Sequence, residues 1–355
     1  MVSIRKLASI ANVSPMTVSR VLRNLPGVKE ETRQHILALA EDYHLSPFQL
    51  PQGVPAGATR TLGCIMPNIC FGFYHRLLSS ILQAAYRAEY RVIVLETNSD
   101  PERTRLALHS LIAHRVDGVM IDSEHPQVLS SEILFALQSN GVVPLCLDAT
   151  PSAHPVHAVL IDEEQMAELA VSYLYGLGHR SIAYLGTLPQ GEHRGRQERP
   201  TAVLKALRCH GLPQEYLFDP LPEEYYGQSA EQILPTVVHA VETIFVRLMT
   251  APSPPTAFLT PSEVIAAYLL SLANRHGWHI PGDLSVLCMS SVDLADCLLP
   301  PLTSVDPHPE EIGRQAVKLL VETINRGDPH AVSPEIRRIT PHLVERASCG
   351  PPSRR

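Results

Sequence analysis

A short run near the start of the chain carries the first residues whose types and spacing suit a chemical task. Ser14 is a good helix N-cap, and Pro15 follows at the first helical position, where its missing N–H costs nothing. Val18, Val21 and Leu22 make one inward face, Thr17 lies near its boundary, and Pro15, Met16, Ser19 and Arg20 point elsewhere. A helix presented in this way offers its N-terminal residues to base edges in a major groove, and its free amides to a phosphate. Charge agrees. Residues 1–60 hold seven Lys/Arg and four Asp/Glu, a net of +3, which leaves −10 on the remainder of a chain whose total is −7. A basic head on an acidic body suits an anionic partner.

The elements around that helix complete a unit. Ile4, Leu7, Ala8 and Ala11 fall on one face of a preceding helix. Asn12-Val13 interrupts it, and Asn tolerates the left-handed backbone of a tight turn. A third helix from about Glu30 to Tyr43 carries the stripe Ile36, Leu39, Ala40, Tyr43, and Pro47 closes the unit. Two short helices about a tight turn, braced by a third, predict a helix-turn-helix.

Other chemistries find little support. No G-x-S-x-G, H-E-x-x-H, phosphate-binding loop or G-x-G-x-x-G occurs, and no nucleophile–base pair can be named, so no enzyme activity is expected. The seventeen histidines are scattered; His154 and His157 sit beside Pro151 and Pro155, as in a loop. No metal and no cofactor are expected. The seven cysteines (64, 70, 146, 209, 288, 297, 349) form no C-x-x-C pair, and their odd number and apolar settings predict reduced, mostly buried thiols. The N-terminus lacks a signal-peptide core, and no stretch of about 18 apolar residues occurs. A soluble, cytoplasmic protein with no membrane partner is expected.

Val13-Ser14-Pro15-Met16-Thr17-Val18-Ser19-Arg20-Val21-Leu22-Arg23-Asn24 resembles the V-S-x-x-T-V-S-R-V-L-N signature of the LacI/GalR family of transcription regulators. Pro26-Gly27-Val28 and Glu31-Thr32-Arg33 match that family's following loop and third helix. The resemblance implies base-reading roles for Pro15, Met16 and Arg20, with Arg20 the best candidate for a bidentate contact to guanine. Pro15 and Met16 make no bidentate contact; they offer an apolar touch on a thymine methyl, or they simply shape the fit. It implies phosphate or backbone contacts for Ser3, Ser14, Thr17, Ser19, Asn24 and Thr32, and the neighbouring Ile4, Arg5, Lys6 and Arg23 join the DNA-facing set. Lys29 stands where the family usually has a capping Ser, so the third helix starts on a weaker cap. Residues 1–47 form this head, and 48–60 a linker. In the family the linker folds on DNA as a hinge helix that wedges the minor groove, and counting places Val54 at the wedge. Pro51, Gly53 and Pro55 surround it, so no regular helix is expected there.

In the body, residues 61–348, apolar runs recur at Leu62–Met66, Val92–Leu95, Val116–Ile121, Val142–Leu147, Val159–Ile161, Ile182–Leu185, Ala257–Leu259 and Leu284–Met289. Helical stretches separate them, among them Tyr74–Ala88, Glu102–His114, Glu164–Tyr175, Thr201–His210 and Glu310–Arg326. Such alternation predicts parallel sheets with right-handed crossovers, in two α/β lobes.

The pieces Leu62–Pro67, Val116–Gly118, Leu177–Ala183, Ile280–Val286, Pro300–Val305 and Glu311–Gly313 resemble the same family's type I periplasmic-binding-protein-like core of two Rossmann-like lobes. The resemblance implies chain crossings near residues 162, 291 and 326. Lobe 1 is then about 61–162 and 291–325, lobe 2 about 163–290 and 326–348, with 349–355 a tail. It implies a homodimer on a near-palindromic operator, and a small effector, possibly a sugar, in the cleft. Position by position, Phe73 and Tyr74 match the aromatic floor, Asp148 an acidic cleft position, and Arg199 the Arg that holds sugar hydroxyls or a carboxylate. The second lobe's usual acidic residues read Pro261-Ser262, or Ser262-Glu263 with a one-residue shift, and Ser290-Ser291; Ser262 and Ser290 are taken as effector-facing. The expected function is a DNA-binding regulator, in sense a repressor. A regulator that has lost its ligand, or a solute-binding protein, are the alternative readings.

Overall fold

The computed structural model describes residues 4–22, 28–42, 59–69, 72–122, 129–147, 156–186, 198–214, 217–218, 230–290, 295–326 and 333–353. Three helices open the chain: α1 (Ile4–Ile10), α2 (Pro15–Leu22) and α3 (Glu30–Asp42). Leu7, Val18 and Ile36 are fully buried, with Ala8, Ala11 and Val21 packed around them in one cluster. These are the apolar positions that helical spacing predicts. Asn12 takes the left-handed backbone of the turn, φ 53°, and the Thr17 amide donates to Ser14 Oγ at 3.0 Å, the expected N-cap. The linker from residue 48 to 58, with Val54, lies outside the described residues. Its far end is fixed to the body: Thr59 Oγ1 lies 2.9 Å from both Asp117 Oδ1 and the Arg115 carbonyl.

The first lobe runs β1 (Thr61–Met66), α4 (Gly72–Arg87), β2 (Arg91–Glu96), α5 (Pro101–Ala113), β3 (Gly118–Asp122), α6 (Ser131–Ser139), β4 (Val143–Leu147) and β5 (His157–Ile161). The second runs α7 (Glu163–Gly176), β6 (Ile182–Leu185), α8 (Glu198–Cys209), β7 (Leu217–Phe218), α9 (Ala230–Met249), β8 (Ala257–Thr260), α10 (Glu263–Arg275), β9 (Ser285–Cys288), a single 3-10 turn (Ala295–Cys297) and β10 (Thr303–Asp306). Then follow α11 (Pro309–Asn325), β11 (Ile336–Ile339) and β12 (His342–Val344).

The two sheets have the orders β11-β5-β4-β3-β1-β2 and β12-β10-β9-β8-β6-β7. Every pairing is parallel except β10 with β12. Central strands such as β3 and β4 are buried along their whole length. That is why they read as unbroken apolar runs rather than alternating ones. In the first sheet α4 and α11 cover one face and α5 and α6 the other. A side chain on Gly63 of β1 would place Cβ 2.5 Å from Leu111 of α5, so glycine lets that helix seat.

The sheets correct two of the expected crossings. The first passage follows β5, which ends at Ile161 in the first sheet, and precedes β6 in the second. The second does not lie at 291: β10 pairs with β9 through Thr303↔Leu287 and Ser304↔Cys288, which keeps the chain in the second lobe as far as Asp306. The third does not lie at 326: β11 pairs with β5 through Ile336↔Ala158, so the chain returns to the second lobe only between Ile339 and His342. Hydrogen-bonded strand partners decide lobe membership, and they are invisible in a one-dimensional apolar pattern.

The segment from residue 349 is also more than a tail. Ser348 Oγ donates to the Val286 carbonyl at 2.6 Å, and the Gly350 amide donates to Ser285 Oγ at 3.0 Å. His179, 1% exposed, lies 3.0 Å from the Gly350 carbonyl and 2.8 Å from Thr256 Oγ1. The Leu177–Ala183 motif thus clamps the chain end onto the second sheet. His157 is a residue of β5 rather than of a loop; its Nδ1 accepts the Glu335 amide at 3.1 Å and holds β11 in register. Of the cysteines, 64, 146, 288 and 349 are buried thiols, and 209 and 297 are exposed.

Candidate DNA-reading helix and interlobe cleft

The first turn of α2 stands clear of the head. Met16 is 71% exposed, and Pro15 and Arg20 are exposed beside it. Val18 and Val21 anchor the opposite face in the three-helix core. Ser14 Oγ lies 2.8 Å from Thr17 Oγ1 while it caps the helix, so both hydroxyls help to set the helix start. Thr32 is half-buried on α3, whose first turn carries Glu30 and Glu31. Ile4, Arg5, Lys6 and Ser19 are placed on α1 and α2 by their backbone, while Ser3, Arg23 and Asn24 lie outside the described residues. The arrangement is one exposed guanidinium a helical turn from an exposed thioether, on a rigid rod narrow enough for a major groove.

Both sheets direct the carboxyl ends of their parallel strands toward the junction of the lobes, where α/β folds bind ligands. On the second lobe the expected residues gather. Arg199 sits at the start of α8, and its Nε and Nη2 donate to Glu163 Oε2 and Oε1 at 2.9 and 2.8 Å. Its Nη1 lies 3.5 Å from the Pro261 carbonyl, just beyond β8. Ser262 is the N-cap of α10, accepting the Val264 amide at 3.2 Å, which commits its oxygen to the helix. Ser290, 5% exposed beyond β9, donates to Glu263 Oε2 at 3.3 Å. Burial, reinforced by the charge of Glu263 and opposed by Arg199, pushes the Cys288 thiol up to about 12. Arg199 reaches the backbone two residues before Glu263.

On the first lobe Phe73 and Tyr74 open α4 with ring centroids 5.2 Å apart, edge to face. Asn68, at the carboxyl end of β1, buries its Oδ1 with no hydrogen-bond partner among the described residues. Asp148 lies outside the described residues. The exchange of acidic residues for hydroxyls, expected from a gapless reading, is only half of what stands here: Glu263 keeps a carboxylate beside Ser290. Glu163 is the residue that sequence reasoning missed. Asp162-Glu163-Glu164 reads as an ordinary acidic first turn of a helix, and only the tertiary structure turns one of those carboxylates, 7% exposed, onto Arg199.

Ion pairs span the lobe crossings. Arg76 of α4 reaches Asp306 Oδ2 at the end of β10 at 3.1 Å and grips Glu310 of α11 at 2.6 and 2.8 Å. Arg338 of β11 lies 3.5 Å from Glu198 at the head of α8. Among the described residues no cluster of His, Cys, Asp and Glu could hold a metal ion. No described helix is long and apolar enough to cross a membrane.

Comparison with known proteins agrees with this geometry. Residues 3–47 match the model of bacterial regulatory proteins of the lacI family, and residues 171–349 match a periplasmic binding protein-like domain. Catabolite control protein A of Priestia megaterium is 27% identical over 345 residues, covering 97% of this chain and 98% of its own. Among solved structures, the transcriptional regulator CelR in complex with cellobiose superposes with TM-score 0.68 at 22% identity, covering 98% of this chain and 99% of its own. The lac repressor dimer bound to operator and the anti-inducer ONPF gives TM-score 0.66 at 21% identity, covering 98% of each chain. The chain belongs to the periplasmic binding protein-like family by the match over residues 171–349, and it carries a lacI-family helix-turn-helix domain as its head.

Proposed function

We propose that this protein is a sequence-specific DNA-binding transcription regulator, in sense a repressor, whose affinity for DNA responds to a small sugar-related molecule in the interlobe cleft. It acts in the cytoplasm by binding and not by catalysis. The observation that carries this reading is the exposed first turn of α2, with Met16 and Arg20, on a head joined to a two-lobed α/β body. The cellobiose complex of CelR and the operator complex of the lac repressor dimer support the two binding roles by analogy.

The working unit is a homodimer, so that two heads meet the two halves of a near-palindromic operator. The surface offered to a second copy is the first lobe's free edge strand β2 beside α4, where Leu82 and Tyr86 are 42% and 83% exposed. A strand at the sheet edge among the described residues, next to exposed apolar side chains, invites pairing.

Selection of binding sites from random duplex DNA tests the reading. The expected product is a site of approximate two-fold symmetry, with a guanine in each half that Arg20→Ala no longer requires. A selected pool with no dyad and no dependence on Arg20 sinks it.

A further inference from the structure

The charge of Arg199 is already answered inside the protein. Its guanidinium meets Glu163 in two parallel bonds of 2.9 and 2.8 Å, with the two side chains only 18% and 10% exposed. A bidentate pair of this kind takes up the Nε/Nη2 edge that would otherwise clamp a ligand's carboxylate or phosphate, and it offsets the Arg199 charge. An anion approaching the remaining Nη1 would lie beside the Glu163 carboxylate, and drawing Arg199 off Glu163 would strip a mostly buried carboxylate of its partner, which is strongly destabilising. Two residues beyond Pro261 stands Glu263, with Ser290 at 3.3 Å. Among the described residues of this site, the charged groups are two carboxylates and one guanidinium. Carboxylates accept and do not donate, so what they ask of a visitor is hydroxyl donors and no negative charge.

We propose that Glu163 is a built-in anion that fills the Arg199 fork, so that the cleft admits uncharged, hydroxyl-rich ligands and rejects their carboxylated and phosphorylated counterparts. This rests on the reading of the protein as a ligand-responsive regulator, and it makes Glu163 a specificity-determining residue. Exchange of its charge alone, with shape retained, frees the fork.

The experiment follows thermal unfolding of the intact wild-type chain, Arg199→Ala, Glu163→Gln, and the double variant. Probes are inorganic phosphate, gluconate and glucose 6-phosphate, with glucose and sodium chloride at matched ionic strength as controls. Ligand bound only to the folded state raises its melting temperature in a saturable way. Wild type is expected to show no Arg199-dependent response to any anion. Glu163→Gln is expected to gain a saturable response at anion concentrations where wild type shows none, and Arg199→Ala in that background removes it. An Arg199-dependent shift of wild type by an anionic probe overturns the proposal, as does a natively folded Glu163→Gln protein with no gain. If Glu163→Gln does not fold, the wild-type arms decide alone: a response overturns, silence supports. Operator binding measured on the same samples separates the two layers. An anionic sugar that binds wild type and shifts operator affinity removes the charge selectivity and leaves the regulator standing. A protein with no sequence-specific DNA binding removes the regulator, whatever the anions do.

Discussion

Met16 and Arg20 face the same way on α2 but read by different physics. Arg20 carries donors and no acceptor; Met16 carries a polarisable apolar stem and no strong donor. In the proposed function, Met16 is therefore expected to meet a thymine through its methyl group. Replacement of thymine by uracil at the selected base weakens wild-type binding several-fold and leaves Met16→Ala unmoved, as fluorescence anisotropy on paired duplexes can measure. His179 works for stability instead. Burial, aided by the charge of Arg180 and opposed by the Gly350 carbonyl, holds its imidazole below the ordinary value. A depressed histidine is neutral in the folded protein, while the unfolded chain binds the proton more readily. Its contribution is thus complete above about pH 6.5 and is lost as pH falls below it. The midpoint of chemical unfolding should fall from pH 7 to pH 5 more steeply in wild type than in His179→Gln. Equal slopes would remove His179 from the acid response. At this scale the head was largely legible: Asn12 in the turn, Ser14 as cap, and the buried Leu7 and Val18 all follow from local rules. Glu163 was not, because its partner Arg199 lies 36 residues away and no local pattern joins them.

Among the elements, the pair α4 and α11 holds the first lobe to the crossing. A Cβ on Gly313 of α11 would sit 2.9 Å from Ser80 Cβ and 3.0 Å from the Ile81 amide nitrogen and the Leu77 carbonyl. Two of those neighbours are backbone and cannot turn aside. Gly313→Ala should cost about 1–3 kcal/mol, read from the denaturant midpoint. A neutral result would mean that the two helices separate freely. Long, fully buried strands announced themselves as apolar runs. The strands β10, β11 and β12 did not. They are three or four residues long, and β11 and β12 carry polar and basic residues such as Arg337, Arg338 and His342. Their place is set by partners: β5 and His157 for β11, and β10 for β12. That is why two of the three crossings were displaced in the sequence reading. α9 hides in a similar way, since it carries Pro235 inside its 20 residues.

For the whole molecule, the proposed function joins the head, the crossings and the edge of the first lobe in one device. The chain passes between lobes at Asp306 and Ile339, and Arg76 braces the first of these passages against α4 and α11. In the proposed homodimer, the contact between copies would space the two heads. Leu82→Arg together with Tyr86→Glu, placed on the exposed face of α4, should yield a folded monomer by sedimentation and weaken operator binding at least tenfold. A variant that stays dimeric moves the interface elsewhere. The two-lobed class was legible in the alternation of strand and helix, whereas the identity of the ligand is written in no local motif.

The most direct test of the account is the ratio of affinities for a selected operator and for a random duplex of equal length, at one fixed salt concentration, in wild type and Arg20→Ala. Wild type should favour the operator by about 10³-fold or more. Arg20→Ala should lose about 1–3 kcal/mol on the operator, with little change on the random duplex, since phosphate contacts carry the latter. Equal affinity of wild type for both duplexes, or equal losses on both in the variant, would contradict a head that reads sequence through α2.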